Sequence, residues 1–128
     1  NKLLPKKLPK GVGTGGAMFF FSKQADNTRF GVPVFDKKDH LTGIEEKPTK
    51  PKSDLAVTGL YIYPPNVFKI IPKLKPSKRG EIEISDVNNW YIKRKKCAYT
   101  IFPGFWSDCG VTDSLYQTTK WIYEYDKK

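Results

Sequence analysis

Residues 55–63 constrain the fold most strongly, because no other part of the chain has a clearer strand pattern. They are rich in β-branched and aromatic side chains, which favour a pleated strand, and Pro64 and Pro65 end the pattern. Gly59 lies in the middle, and an interior glycine marks a bulge or a point where a ligand or another backbone comes close. The stretch therefore predicts a strand with a special backbone position near its centre.

Four further strand patterns surround this stretch. Residues 17–21 form a wholly apolar run typical of a buried strand, while 29–35 and 41–46 are separated by a charged turn and predict a hairpin. Another strand pattern covers 97–102. Strands followed by two helices, a strand and a helix predict an α+β fold, in which helices pack on a mixed sheet.

The helix patterns differ in how they begin. Residues 66–73 repeat apolar side chains at helical spacing. Ser85 is the predicted N-cap of a helix that reaches about Lys93, and Thr112 is the predicted cap of the last helix. Residues 81–84 alternate, so that both isoleucines would face one way. Val87, Trp90 and Tyr91 are predicted to point inward, and Leu115, Thr119, Ile122 and Tyr123 share one face of the last helix.

Size and composition restrict the classes of function. A chain of 128 residues is one domain by size, and its 14% aromatic content supplies bulk for a core. Only three of its 23 basic residues are arginines, so base-reading of nucleic acid is disfavoured despite the net charge of +10. Two cysteines and one histidine provide no disulfide framework and no zinc site. The longest apolar run, 17–21, is too short to cross a membrane, and a cytoplasmic protein is expected.

Residues 1–16 differ in composition from the rest of the chain. The first ten are basic and interrupted by prolines, and 11–16 contain four glycines. A phosphate-binding glycine loop follows a strand and opens a helix, whereas this run follows a Lys/Pro segment and precedes a strand. We therefore predict a basic, Gly/Pro-rich arm or linker at 1–16 and one domain at 17–128.

Unusual polar side chains collect at strand ends, where ligand sites of α/β sheets lie. Residues 44–48 place two glutamates and Lys47 at the end of a strand, before Pro48. This layout suits a site that holds an anion with Lys47 and a polyol with a carboxylate, and a solvated strand end is the alternative. Asp108 is an oxygen ligand suited to Mg²⁺. The full set is Arg29, Glu45, Glu46, Lys47, Arg79, Ser85 and Asp108.

Five motifs follow one another in an order that resembles a known enzyme family. From about Gly16 onward the chain resembles the C-terminal, sugar-phosphate-binding half of the glucose-1-phosphate thymidylyltransferases, which are sugar nucleotidyltransferases. The resemblance implies part of an α/β nucleotidyltransferase fold. The motifs are Asp26-x-x-Arg29-Phe30-Gly31-Val32, Ile44-Glu45-Glu46-Lys47-Pro48, Val57-Thr58-Gly59-Leu60-Tyr61, Arg79-Gly80-Glu81-Ile82-Glu83-Ile84-Ser85 and Trp106-Ser107-Asp108-Cys109-Gly110.

The same resemblance implies a role for each site residue. Glu46 would contact sugar hydroxyls, while Lys47 and Arg79 would bind the phosphate and act as the catalytic cations. Asp108 would hold Mg²⁺. Ser85 keeps the hydroxyl of the threonine usual in the family and is counted with the substrate-binding residues. The remaining substrate-binding residues would be Val57 and Gly59, which line the sugar pocket, and Trp106, which packs beside it.

The resemblance also implies that part of the enzyme is absent from this chain. The family's N-terminal, nucleotide-binding half has a Gly-Gly-x-Gly-Thr-Arg-Leu loop and a second metal-binding aspartate, and 11–16 only echo that loop. A sugar 1-phosphate is therefore the expected partner, with a nucleoside triphosphate bound only when the other half is present. We expect half of an Mg²⁺ site and no transferase activity from this chain alone. Asn27 and Cys109 depart from the family pattern.

Two other functions compete with this interpretation. The lysine-rich surface and the basic arm could form a non-catalytic module that binds polyanions. Alternatively, the chain could be a structural remnant that forms homo-oligomers through an exposed sheet edge.

Overall fold

The computed structural model describes residues 7–127, and their strands form two small sheets. In the first, β1 (Ala17–Lys23) lies between β4 (Leu55–Ile62), which is antiparallel to it, and β5 (Cys97–Ile101), which is parallel. The second sheet is the hairpin of β2 (Gly31–Phe35) and β3 (Leu41–Glu46). The predicted hairpin and the predicted mixed sheet are both confirmed.

Three helices and a 3₁₀ turn complete the described part of the chain. α1 (Val67–Ile70) continues into the 3₁₀ turn Ile71–Lys73, α2 (Ile84–Lys93) packs on β3, and α3 (Thr112–Tyr125) comes last. Four strands, two helices, a strand and a helix follow one another as predicted, and the fold is α+β. Within residues 7–127, no helix is long and apolar enough to cross a membrane.

The core is built around β1. Phe19, Phe20 and Phe21 have no exposed surface. Phe19 and Phe21 cluster with side chains of α2 and β4, whereas Phe20 packs with Val12 and Met18 in a second cluster. Successive side chains of a strand point to opposite faces, so both faces of β1 are covered. This burial explains why the strand is apolar at every position from 17 to 21.

The glycine in β4 forms the predicted bulge. Phe21 pairs with Val57 and Phe19 pairs with Tyr61, so residues 58–60 lie opposite Phe20 alone. Gly59 has a φ of +78°, a left-handed conformation that glycine adopts without a steric penalty. A bulge of this kind bends a strand. Open space lies beside Gly59, since no atom is within 4 Å of the position that its Cβ would take.

Two polar side chains of α2 fasten the helix to β3. The Asn89 side chain accepts from the Ile44 N–H and donates to the Ile44 carbonyl, both at 2.8 Å, as a neighbouring strand would. One turn earlier, the Ser85 hydroxyl donates to Glu46. The spacings match, because four helical residues rise about 6 Å and two strand residues about 6.6 Å. Helix and strand are therefore joined in register.

The start of α2 differs from the prediction. The N-cap is Glu83, with extended backbone angles, and Ser85 lies inside the first turn, buried. No strand forms at 81–84 although the sequence alternates there, and Ile82 and Ile84 are both exposed. The Glu83 side chain accepts from Ser77 at 2.8 Å, which holds this residue outside the helix and frees Ser85 to reach Glu46.

α3 lies on the outside of the described structure. Its N-cap is Val111 rather than Thr112, and the Ser114 hydroxyl accepts from the Val111 N–H at 3.3 Å. None of its residues is buried, so the predicted apolar face is exposed. Trp121 stacks on Phe105. The formation of homo-oligomers by this chain stays a prediction. The large exposed side chains of the helix are Leu115, Tyr116, Trp121, Ile122, Tyr123 and Tyr125.

The glycine run 11–16 folds back on itself beside β1. The Gly15 and Gly16 N–H groups both donate to the Gly11 carbonyl, at 3.1 and 2.8 Å, and Val12 is buried. Much of the predicted basic arm, residues 1–6, lies outside the described residues, as does Lys128. The division into an arm at 1–16 and a domain at 17–128 stays a prediction.

We predict that Asn89→Ala lowers the free energy of unfolding by about 1–3 kcal/mol, because two backbone groups of Ile44 lose their partners. Urea denaturation followed by far-ultraviolet circular dichroism measures the change. Lys93→Gln, an exposed substitution on the same helix, should change stability by no more than about 0.5 kcal/mol. Equal stabilities of Asn89→Ala and the unmodified protein would contradict the role assigned to Asn89.

Candidate functional site

A surface cleft of about 240 Å³ lies where the hairpin, the β4 bulge, the first turn of α2 and the turn before α3 meet. Clefts with a few converging polar groups are the usual form of small-molecule sites. Its wall is part apolar and part charged. The lining residues are Arg29, Phe30, Gly31, Glu46, Val57, Thr58, Gly59, Tyr61, Ile84, Ser85, Trp106 and Asp108.

Gly31 is needed in the cleft wall because three side chains crowd it. A Cβ at this position would lie 3.2 Å from Ile44 Cγ2, 3.2 Å from Ser85 Oγ and 3.3 Å from Val57 Cγ2. These distances are tighter than ordinary van der Waals contact, so an added Cβ would force these side chains of β3, β4 and α2 to shift by a few tenths of an ångström.

Glu46 is the carboxylate that α2 holds at the end of β3. The Ser85 hydroxyl donates to one of its oxygens, Oε2. Burial raises the pKa of Tyr61, and the nearby Glu46 charge raises it further. The Tyr61 phenol therefore keeps its proton well above neutral pH. The wall offers a carboxylate acceptor and a phenolic donor, which suits hydrogen bonding to a polyol.

The rim of the cleft is closed by contacts between residues 29–30 and the turn at 106–108. Arg29 Nη2 lies 3.3 Å from Asp108 Oδ2. The Phe30 and Trp106 rings meet edge to face, with centroids 5.4 Å apart. An ion pair and an aromatic pair thus bring a distant segment of the chain to the cleft, and they place a cation and an indole at its mouth.

Comparison with known proteins identifies the family. Residues 4–124 match the nucleotidyl transferase family. The chain belongs to the nucleotidyl transferases. It is 42% identical over 111 residues to a glucose-1-phosphate thymidylyltransferase of Neisseria gonorrhoeae, covering 85% of this chain and 38% of that protein. The chain therefore spans well under half the length of such relatives.

Solved structures of nucleotidyltransferases share the fold. A crystal structure from Bacillus anthracis, assigned to a glucose-1-phosphate thymidylyltransferase and determined with sucrose, superposes with a TM-score of 0.71 at 46% identity, covering 80% of this chain and 41% of that one. UDP-glucose pyrophosphorylase in complex with UDP-glucose superposes with a TM-score of 0.75 at 27% identity, covering 88% of this chain and 46% of that one. The α+β fold seen here is thus part of a larger nucleotidyltransferase fold.

Six of the eight residues that were predicted to bind substrate or metal lie together in the cleft wall. They come from β3, β4, α2 and the 106–108 turn, so the fold gathers segments that are up to 62 positions apart along the chain. Their roles toward a substrate stay predictions. The six residues are Glu46, Val57, Gly59, Ser85, Trp106 and Asp108.

The two predicted catalytic cations lie outside the cleft wall. Lys47 follows Glu46 and donates its N–H to the Phe30 carbonyl at 3.0 Å, while its side chain is exposed. Its φ of 45° turns the backbone out of the strand before Pro48. Arg79 is paired with Glu81 at 3.1 Å and Glu83 at 3.6 Å. The predicted catalytic roles of these cations are not tested by their placement.

Several lining residues were absent from the predicted substrate-binding set. Phe30 and Gly31 lie in the motif at 26–32, and Thr58 and Tyr61 lie in the motif at 57–61. Their position next to residues of the predicted set is the sequence signal that could have identified them. Arg29 was among the polar groups but received no role in substrate binding. Its partner, Asp108, is 79 positions away, and that pairing has no local signal.

The described residues do not form a metal site on their own. Within residues 7–127, no group of three or more His, Cys, Asp or Glu side chains is arranged to hold a metal ion. Asp108 supplies one carboxylate, and that carboxylate is paired with Arg29. The role of Asp108 as a ligand of Mg²⁺ stays a prediction, and such a site would need further oxygen ligands from substrate or from other polypeptide.

The thiol next to Asp108 points away from the cleft. Cys109 Sγ lies 3.4 Å from the Thr118 hydroxyl of α3, and the residue is exposed with a φ of 52°. Gly110 lies beside the Asp108 carboxylate, and a Cβ added at this glycine would be only 2.6 Å from Asp108 Oδ2. The departure from the family at position 109 therefore does not narrow the cleft, which Cys109 does not line.

We predict that Gly31→Ala lowers the free energy of unfolding by about 1–3 kcal/mol, because the added methyl group overpacks the contact of Ile44, Val57 and Ser85. Thermal or urea unfolding measures the loss. Gly15→Ala is the matched control, since no atom lies within 4 Å of its Cβ position and its φ is not left-handed. The same loss in both variants would mean that crowding is not the cause.

We predict that Cys109 reacts with Ellman's reagent faster than Cys97 by more than tenfold at pH 8. Burial raises the pKa of Cys97 to about 11, which leaves only about one thiolate in a thousand at this pH. Cys109 is exposed. The variants Cys97→Ser and Cys109→Ser assign the two rates by absorbance. Faster labelling of Cys109→Ser than of Cys97→Ser would refute this ranking.

Proposed function

We propose that this chain forms the sugar 1-phosphate-binding part of a nucleotidyltransferase. The observation that carries the proposal is the single cleft that gathers Glu46, Tyr61 and Ser85 with Arg29 and Asp108 at its mouth. Acceptors and donors for sugar hydroxyls thus lie beside a cation for a phosphate. Membership of the nucleotidyl transferase family supports this pairing of ligand groups, and glucose 1-phosphate is the proposed ligand.

The reaction proposed for the full enzyme joins two substrates. A phosphate oxygen of glucose 1-phosphate attacks the α-phosphorus of dTTP, the bond to the β-phosphate breaks, and dTDP-glucose and pyrophosphate form. The protein positions the two phosphates and stabilises the charge on the transferring group, so no protein nucleophile is needed. Mg²⁺ bound when both substrates are present would supply further charge stabilisation.

Glu46 is proposed to act on the sugar and Asp108 on the metal. Val57, Gly59 and Trp106 would shape the pocket around the sugar ring. Lys47 and Arg79 would approach the phosphate by turning their side chains, and Arg79 would first have to leave its two glutamates. The chain spans 38% of its Neisseria gonorrhoeae relative, so nucleotide binding is assigned to polypeptide beyond this segment.

The family match does not favour the polyanion-binding alternative. The basic side chains at the C-terminal end of α2 are placed where a helix favours positive charge, and Arg94 lies over the Trp90 ring at 3.9 Å. These contacts account for part of the basic surface without a nucleic acid.

We expect isothermal titration calorimetry to detect binding of glucose 1-phosphate to the folded chain. Glu46→Gln should weaken this binding by about tenfold, because a charged acceptor for sugar hydroxyls is lost. Glu124→Gln, an exposed acid on α3, is the matched control and should bind as the unmodified protein does.

A pyrophosphate-release assay with dTTP, glucose 1-phosphate and Mg²⁺ tests the second half of the proposal. The chain alone should release no pyrophosphate above background. Absence of any binding heat in protein shown by circular dichroism to be folded would overturn the sugar-phosphate assignment. Measurable turnover would instead overturn the assignment of nucleotide binding to other polypeptide.

A further inference from the structure

We propose that Arg29 is a further phosphate-binding residue of the cleft, positioned for that task by Asp108. This inference rests on the proposed function, because it names the group that contacts the phosphate of the sugar 1-phosphate. Arg29 is the only lysine or arginine that lines this cleft among residues 7–127.

The other cations suited to the role are held elsewhere. Arg79 is engaged by Glu81 and Glu83. The Lys47 side chain is exposed and does not line the cleft, although its backbone contacts Phe30. Arg29, in contrast, needs no rearrangement of the loop before α2 to meet a ligand in the cleft.

Arg29 keeps most of its hydrogen-bonding capacity. A guanidinium carries five N–H donors, and within the described structure a single donor, Nη2, contacts Asp108 at 3.3 Å. The Arg29 side chain retains 45% of its exposure, and its guanidinium carbon lies 5.4 Å from the centroid of the Phe30 ring. The remaining donors can therefore form a two-pronged contact with phosphate oxygens while the ion pair with Asp108 persists.

A cation in the cleft lining offsets part of the negative charge there. This lining contains two carboxylates, Glu46 and Asp108, which repel a phosphate. Asp108 is paired with Arg29. Glu46 accepts a hydrogen bond from Ser85, and its carboxylate stays available to sugar hydroxyls. Without Arg29, the described lining of the cleft would contain two carboxylates and no lysine or arginine.

The ion pair also holds the Asp108 carboxylate beside Arg29. The Asp108 side chain retains 26% of its exposure, and Gly110 leaves the space that its carboxylate fills. Asp108 thereby fixes the guanidinium of Arg29 at the mouth of the cleft. In this part of the enzyme we assign Asp108 as a positioning residue for Arg29, whatever it contributes to metal binding when both substrates are present.

The test compares phosphate preference rather than affinity alone. Binding of glucose 1-phosphate and of glucose is measured by calorimetry without Mg²⁺, for the unmodified chain and for Arg29→Gln. Arg29→Gln should lower the ratio of the affinity for glucose 1-phosphate to the affinity for glucose by tenfold or more, since the charge-assisted contact serves only the phosphate. Asp108→Asn removes a carboxylate that repels the phosphate as well as the partner of Arg29, so a lower ratio in this variant would mean that the positioning of Arg29 outweighs that repulsion. An unchanged or higher ratio would contradict the positioning role of Asp108.

Arg94→Gln is the matched control. It removes an arginine that also lies beside an aromatic ring, directly after α2, and that does not line the cleft. It should keep the preference of the unmodified chain. Arg29→Lys retains the charge without the fork and should keep part of the preference. It also provides a usable variant if Arg29→Gln fails to fold.

Two results would overturn the inference. One is an unchanged preference in folded Arg29→Gln and Arg29→Lys. The other is an equal loss in Arg94→Gln, which would indicate a general effect of net charge. Failure of the unmodified chain to bind either ligand is a different outcome, since it would overturn the proposed function itself. A chain that binds glucose 1-phosphate with a preference independent of Arg29 would leave that function standing.

Discussion

The junction of α2 with β3 is the contact on which the candidate site depends. β3 pairs with β2 alone, so its outer edge would otherwise be open. Asn89 satisfies both backbone groups of Ile44 at that edge, and Ser85 fixes Glu46 one helical turn away. The same helix contributes the buried side chains of Val87 and Tyr91 to the core cluster that also contains residues of β1 and β4. α2 therefore supplies both buried core side chains and the hydrogen bonds to β3. The helix that covers the core also orients the Glu46 carboxylate in the cleft.

The sequence predicted most of the fold because its strongest signals were local. The apolar run in β1, the hairpin and the glycine bulge in β4 each depend on a few neighbouring residues. The start of α2 was predicted wrongly because Ser85 fits the usual composition of an N-cap, whereas the actual cap, Glu83, is set by contacts with Ser77 and Arg79. A capping preference of about 1 kcal/mol is easily outweighed by such contacts and by burial of Ser85 against Glu46.

Residues of the candidate site could be predicted where they lie in sequence motifs. They could not be predicted where their role depends on contact with a residue far away along the chain. Glu46, Ser85 and Asp108 were chosen from the sequence and meet in one cleft. Arg29 received no role because its significance depends on Asp108, which approaches it only after the turn before α3 folds back. Conversely, Lys47 and Arg79 were chosen from motifs, yet the orientation of a side chain is set by its ion pairs and backbone angles, which no motif specifies.

Different contacts support the cleft and α3. Most of the cleft wall comes from β2, β3, β4 and α2, whose side chains share one core cluster. The surface of α3 is built differently, since its aromatic side chains stack on one another and on Phe105 without reaching that core. An isolated 14-residue helix is marginal in water, so α3 depends on these stacks and on its contacts with the 106–110 turn. Asp108 and Trp106 belong to that turn. Their positions at the mouth of the cleft therefore depend on the contacts that hold α3 in place.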